Sequence, residues 1–165
     1  MQIRLIQTLD AAQMIELNRA LDTETDFMLM EPGERSTSLE QQVSRINAIT
    51  ASDTEALFVA EDDRDLVGFI AVASGMALRS RHTARLVIGI KRSHWGLGVS
   101  DDLMMRAEQW AKASGVRRLE LTVMTANTRA LSLYGRHGFV SEGTRACALL
   151  VGGVYVDEFY MAKLI

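Results

Sequence analysis

The chain has 165 residues, of which 48% are apolar and 24% charged, a balance that excludes a disordered polypeptide. No apolar run approaches the roughly 18 residues that a membrane-spanning helix needs. The net charge of −3 argues against a nucleic-acid partner, which needs a positive excess, and favours a cationic small molecule or an amine-bearing peptide.

The length predicts one domain over residues 1–165 with a substantial core. The first residues, Met1-Gln2-Ile3-Arg4-Leu5, lack a signal-peptide core, so a cytoplasmic location is expected. The single cysteine, Cys147, rules out an internal disulfide. The histidines, His82, His94 and His137, lack metal-ligand spacing, so no metal is expected.

Residues 2–7 alternate weakly and read as a first strand. Asp10 is expected to cap a helix to about Thr23, with Met14, Leu17 and Leu21 at helical spacing. Residues 22–34 mix acidic and large apolar side chains without a period. Ser38 and Gln41 form a capping-box pattern, predicting a second helix to about Ile49. Two strands, 56–61 and 66–74, flank a polar turn and read as a hairpin. A further strand spans 83–90. Glycines and then a periodic run follow it, with Leu103, Ala107, Trp110 and Ala111 on one helix face and Gly115 as the stop. Residues 119–124 alternate as a strand. Asn127 opens a short helix that Gly138 ends. Two last strands flank Gly152-Gly153, a strong hairpin signal. The order β-α-α-β-β-β-α-β-α-β-β describes a mixed α/β domain: a largely antiparallel central sheet flanked by helices.

The segment Lys91-Arg92-Ser93-His94-Trp95-Gly96-Leu97-Gly98-Val99-Ser100 leads from a strand into a helix, a geometry suited to a phosphate. A P-loop would need Gly-Lys-Ser/Thr at its end, but Val99-Ser100 follow Gly98. A dinucleotide fingerprint would need a third glycine where Asp101 stands. A tight turn without a ligand is the remaining alternative. The second informative segment is Asn127 to Phe139. Asn127, Ala130 (or Leu131) and Tyr134 share one helix face there, unless the asparagine is only an N-cap and the tyrosine only packing.

Together these segments resemble the GNAT superfamily of acetyl-CoA-dependent N-acetyltransferases. The family's loop, Arg/Gln-x-x-Gly-x-Gly/Ala, is similar to residues 93–98, with Ser93 in place of Arg/Gln and Arg92 one position early. Its later motif, Asn-x-x-Ala-x-x-Leu-Tyr-x-x-x-Gly-Phe, matches residues 127–139 almost in full. The closing segment 152–161 also resembles that of many members. The likeness runs from about Ala56 to the end.

The resemblance implies direct acetyl transfer from acetyl-CoA to a primary amine in a ternary complex. The acceptor would be a small amine, a polyamine or a protein N-terminus, and the protein a monomer or a homodimer without nucleic-acid or membrane partners. A CoA-binding sensor or interaction module is the rival reading. Pyrophosphate should sit on backbone N–H groups of Trp95, Gly96, Leu97, Gly98 and Val99, near the Ser100 hydroxyl, with Arg92 assisting. Pantetheine should follow the backbone of Val87, Ile88, Gly89 and Ile90, with Asn127 and Ala130 alongside; a backbone N–H on that strand would stabilise an oxyanion. Gly89 would permit close approach, or else mark a bulge.

Tyr134 is the candidate general acid, because phenol and thiol have ordinary pKa values of about 10 and 8.5. Glu120, Asp157 and Glu158 are candidate bases, each also readable as a solvated or salt-bridged strand residue. Asp101 and Asp102 should point away from the pyrophosphate. Phe27, Met28 and Glu31, in the acidic stretch, are candidate acceptor contacts, unless that stretch is a solvated loop. Cys147 reads as a small core or strand filler.

Overall fold

The computed structural model describes residues 1–165. Its strands are β1 (Gln2–Leu5), β2 (Glu55–Asp62), β3 (Asp65–Ser74), β4 (Thr83–Ile90), β5 (Arg118–Met124), β6 (Val140–Val151) and β7 (Val154–Leu164). Its helices are α1 (Ala11–Glu24), α2 (Leu39–Thr50), α3 (Val99–Ala113) and α4 (Thr128–Arg136). The strands form one sheet in the order β1-β2-β3-β4-β5-β7-β6. Only β4 and β5 run parallel, and α3 is the crossover between them. No helix is long and apolar enough to cross a membrane.

Local chemistry sets the boundaries. Asp63 and Arg64 take left-handed φ values of 47° and 74°, which turns β2 tightly into β3. Gly152 and Gly153, at φ 55° and 82°, do the same between β6 and β7. Ser38 and Gln41 complete both hydrogen bonds of the capping box of α2. At the end of α3, Gly115 has φ 77° and Val116 N–H reaches back to the Ala111 carbonyl. Gly138 and the Phe139 N–H end α4 in the same way. Asp10 does not cap α1. Its carboxylate accepts from Arg4 and from the Gln7 N–H, closing the short 3-10 turn before the helix.

Alternation along the strands builds a core on each face of the sheet. Ile70, Leu86, Leu121 and Val123 meet Leu103, Ala107 and Ala111 of α3 and Leu133 and Tyr134 of α4. On the other face, Leu57, Val59 and Phe69 meet Met14, Leu17 and Leu21 of α1 and Ile46 of α2. The expected face of α3 is buried, with Trp110 at its margin.

Two features place the functional region. First, β4 pairs with β5 only from Thr83 to Arg85, against Arg118 to Glu120. Beyond that point β4 continues along β3 to Ile90 and β5 continues along β7 to Met124, so a slot opens between them. Second, α1 docks closely on β4. A Cβ on Gly89 would stand 2.7 Å from Leu21 Cδ1 and 3.0 Å from Phe69 Cε1. The β3–β4 register is regular there, so Gly89 marks a helix contact and not a bulge.

Gly89→Ala is therefore expected to overpack a buried contact and destabilise the protein by about 1–3 kcal/mol. Urea unfolding measures this; an unchanged midpoint and slope would contradict the tight α1–β4 contact.

Candidate functional site

The backbone of β4 meets the slot with a definite pattern. The Gly75 N–H donates to the Thr83 carbonyl at one end of the β3–β4 ladder, and the Lys91 N–H to the Val67 carbonyl at the other. Alternate residues of an antiparallel ladder bond to the same neighbour. Arg85, Val87 and Gly89 therefore spend their backbone groups on β3. Ile88 and Ile90 direct theirs into the slot. Of the strand's candidate contacts, Val87 and Gly89 thus have no free backbone group to offer, whereas Ile88 and Ile90 do. The Ile90 carbonyl is already taken by the Trp95 indole N–H at 2.8 Å.

The loop beyond β4 carries free donors. The Trp95 N–H bonds to the Arg92 carbonyl, so it is not part of the expected cradle. The next five N–H groups, Gly96 to Ser100, have no protein acceptor. Gly96 and Gly98 hold this curve with φ values of 78° and 84°, which cost a residue with a Cβ about 1–2 kcal/mol. A Cβ at either would meet nothing within 4 Å, so conformation and not crowding calls for glycine here. Five N–H groups without a protein acceptor, from the glycine loop into the start of α3, suit a pyrophosphate.

Charges around the loop are mostly committed. The Arg92 N–H donates to Glu24 Oε2 at 2.6 Å, and its guanidinium donates to the Glu24 carbonyl at 2.9 Å. Arg92 thus fastens the loop to the end of α1 and does not reach freely for an anion. Asp101 turns away from the loop, as expected, towards His137 at 2.9 Å and Arg136 at 3.3 Å. Burial alone would raise its carboxyl pKa, but the hydrogen bonds from His137 and Arg136 hold it below the ordinary range. This tie joins the start of α3 to the end of α4 and was not read from the sequence.

Across the slot stands α4. Asn127 Oδ1 accepts from the Ala130 N–H at 3.1 Å, the N-cap reading, which leaves its amide NH₂ without a protein partner. Ala130 is half-buried on the same helix. Tyr134 is buried beside Phe139, with ring centroids 5.8 Å apart, and its hydroxyl bonds to no protein group. Burial pushes its phenol up to about 12. Near neutral pH it holds its proton firmly, and the near match to a thiol expected from ordinary values is lost.

The stretch between α1 and α2 forms one wall of a cavity of about 150 Å³. Met28, Met30, Glu31 and Asp26 line it from that side, and Met124, Leu149 and Val151 from the sheet. Phe27 is 42% exposed and lies outside the lining, whereas Met28 and Glu31 belong to it. Four carboxylates border the cavity (Asp22, Asp26, Glu31 and Glu34) and no basic residue does. Asp22 is buried and paired with Arg35.

The three candidate bases separate clearly. Glu120 lies where β4 and β5 still pair, bound to Arg118 at 3.2 Å and Arg85 at 3.4 Å, at the closed end of the slot. Asp157 accepts from the Cys147 N–H at 2.8 Å. It fills a bulge of β6 in which Cys147 is exposed at φ 50°, so that cysteine is no core filler. Glu158 is buried and stands opposite Met124, on the sheet face that carries the cavity. Arg145 donates to its Oε2 at 3.0 Å, and Oε1 has no protein partner.

Residues 19–139 match the model of the family described as "Acetyltransferase (GNAT) family". An L-amino acid N-acetyltransferase of Escherichia coli is 34% identical over 110 residues, 64% of this chain. The match spans 66% of that relative, just under two thirds of its length. The crystal structure of a GNAT-family acetyltransferase from Streptococcus pneumoniae superposes with a TM-score of 0.96, at 32% identity and 99% coverage of both chains. A phosphinothricin acetyltransferase from Sinorhizobium meliloti, solved with acetyl-CoA, shares the fold with a TM-score of 0.84 at 19% identity, over 99% of this chain and 88% of its own.

The phenol gives a test independent of these likenesses. Its raised pKa means that the folded state favours neutral Tyr134. That contribution is present below about pH 10, the ordinary value, and is lost as pH rises towards 12. In an absorbance titration, the step removed by Tyr134→Phe should lie near pH 12 or coincide with unfolding. Ionisation near pH 10 in the folded protein would contradict the burial described.

Proposed function

The chain belongs to the GNAT acetyltransferase family, whose acetyl donor is acetyl-CoA, and on that premise we propose that it acetylates a primary amine lacking an adjacent carboxylate. The observation that carries the donor half is the run of five unpaired N–H groups from Gly96 to Ser100 at the mouth of the β4–β5 slot. These groups would hold pyrophosphate, with the Ser100 hydroxyl beside them. The backbone of Ile88 and Ile90 and the free Asn127 amide would hold the pantetheine arm, with Ala130 leaving room. When bound, acetyl-CoA supplies an activated acetyl thioester.

The chain's own groups then divide the work. The Ile88 N–H is a donor for negative charge developing on a carbonyl oxygen, a contact worth about 3–4 kcal/mol where such donors have been removed. Tyr134 keeps a proton at its hydroxyl for the departing sulfur. That phenol lies about 3.5 pH units above an ordinary thiol. The same burial disfavours a thiolate and raises its basicity, which narrows the gap. Glu158 Oε1 is the acceptor-side oxygen best placed to take a proton from the amine, directly or through water.

The acceptor reading rests on the cavity lining. Asp26, Glu31 and Glu34 favour an ammonium group, and Met28 and Met30 favour an aliphatic chain. A free amino acid would bring a carboxylate against these acids, and the nearby cations are already paired, Arg35 with Asp22 and Arg145 with Glu158. A small amine, a polyamine or a peptide N-terminus meets no such penalty. The L-amino acid named for the E. coli relative is therefore the rival acceptor, and the rival to catalysis is a CoA-binding sensor without turnover.

Thiol release from acetyl-CoA should be followed with leucine, leucine amide and 3-methylbutylamine. Turnover is expected with the amide and the amine and to be at least about tenfold lower with leucine. Preference for leucine would overturn the acceptor reading, and acetyl-CoA binding without turnover on any amine would favour the sensor. Tyr134→Phe is expected to lower kcat by about 100-fold with unchanged acetyl-CoA affinity. Equal turnover would remove Tyr134 from its role.

A further inference from the structure

Arg129 was not among the residues singled out in the sequence, and nothing in the catalytic scheme uses it. It is the second residue of α4, on the wall of the slot opposite the glycine loop. Its guanidinium lies 4.6 Å from the centre of the Trp95 ring, so it spans the slot to the residue just before the free N–H run. The ring is itself fixed, through its indole N–H to the Ile90 carbonyl. Arg129 is exposed and makes no hydrogen bond or ion pair with any protein group. The neighbouring cations differ: the Arg92 guanidinium also lies over Trp95, 5.3 Å from the ring centre, but donates to the Glu24 carbonyl, and Arg136 and His137 are bound to Asp101. Lys91 also lacks an anionic partner, but it belongs to the same wall as the loop.

We propose that Arg129 is a phosphate ligand of the cofactor, closing the mouth of the slot from the α4 side, with Trp95 as the platform that aims it. The inference rests on the acetyl-CoA reading above. Its physical basis is complementarity. The N–H run supplies dipoles on one side of a polyanion, and a planar guanidinium with all its donors free supplies full charge on the other. Stacking on Trp95 restricts the side chain and so reduces the entropy lost on binding. Arg129 thereby takes the part that the sequence pattern offered to Arg92.

Titration calorimetry on the full chain, with acetyl-CoA and with S-acetylpantetheine (which lacks the nucleotide and its phosphates), tests the assignment. Arg129→Gln is expected to bind acetyl-CoA about 10- to 100-fold more weakly, the range for losing a charged hydrogen bond. Its affinity for S-acetylpantetheine should be unchanged. Arg129→Lys should recover part of the loss, and salt should weaken the parent more than Arg129→Gln. Equal acetyl-CoA affinity in parent and Arg129→Gln would overturn the proposal. So would an equal loss for both ligands, which marks a structural role. A parent that binds neither ligand would instead overturn the acetyl-CoA reading on which the proposal stands.

Discussion

The parallel ladder between β4 and β5 ends after three residue pairs, and the working parts of this molecule depend on that early end. Beyond Arg85 the edge of β4 faces a slot, because β5 is held by β7 along its whole length. Backbone donors that a continuous sheet would consume are left available at Ile88 and Ile90. An unpaired backbone group is tolerable only where water or a ligand can reach it, so the slot has to remain accessible.

Three contacts keep the two walls of the slot in register. Leu21 packs into the space that Gly89 leaves open, fixing α1 against β4. Glu24, at the end of α1, receives Arg92 and so fixes the glycine loop. Asp101 reaches from α3 to His137 and Arg136 at the end of α4. The acidic stretch that walls the cavity follows directly from α1. The glycine loop and the wall of the cavity are therefore positioned by one helix docked on one strand.

Much of this was legible in the sequence, for identifiable reasons. Element order followed from periodicity and from positive-φ glycines at turns and helix ends, where local chemistry decides the conformation. The glycine loop and the helix across the slot were legible because Gly96, Gly98, Asn127 and Tyr134 are spaced for a loop and a helix face. The early end of the β4–β5 ladder was not legible, because strand pairing depends on partners distant in sequence. Partner choice was hidden for the same reason. Asp10 looked like a cap and belongs to Arg4; Arg92 looked free and belongs to Glu24. Cys147 looked like filler because nothing local announces a bulge closed by Asp157. Among the base candidates, strand alternation puts Asp157 and Glu158 on opposite faces, and only the register shows that Glu158 is the one sharing its face with Met124 of the cavity lining.

Amide chemical shifts of ¹⁵N-labelled protein, followed during titration with acetyl-CoA, test the slot most directly. The largest changes are predicted at Ile88, Ile90 and Gly96 to Ser100, with much smaller ones at Val87 and Gly89, whose backbone groups are spent on β3. Changes centred elsewhere, or equally large at all four β4 residues, would contradict the account.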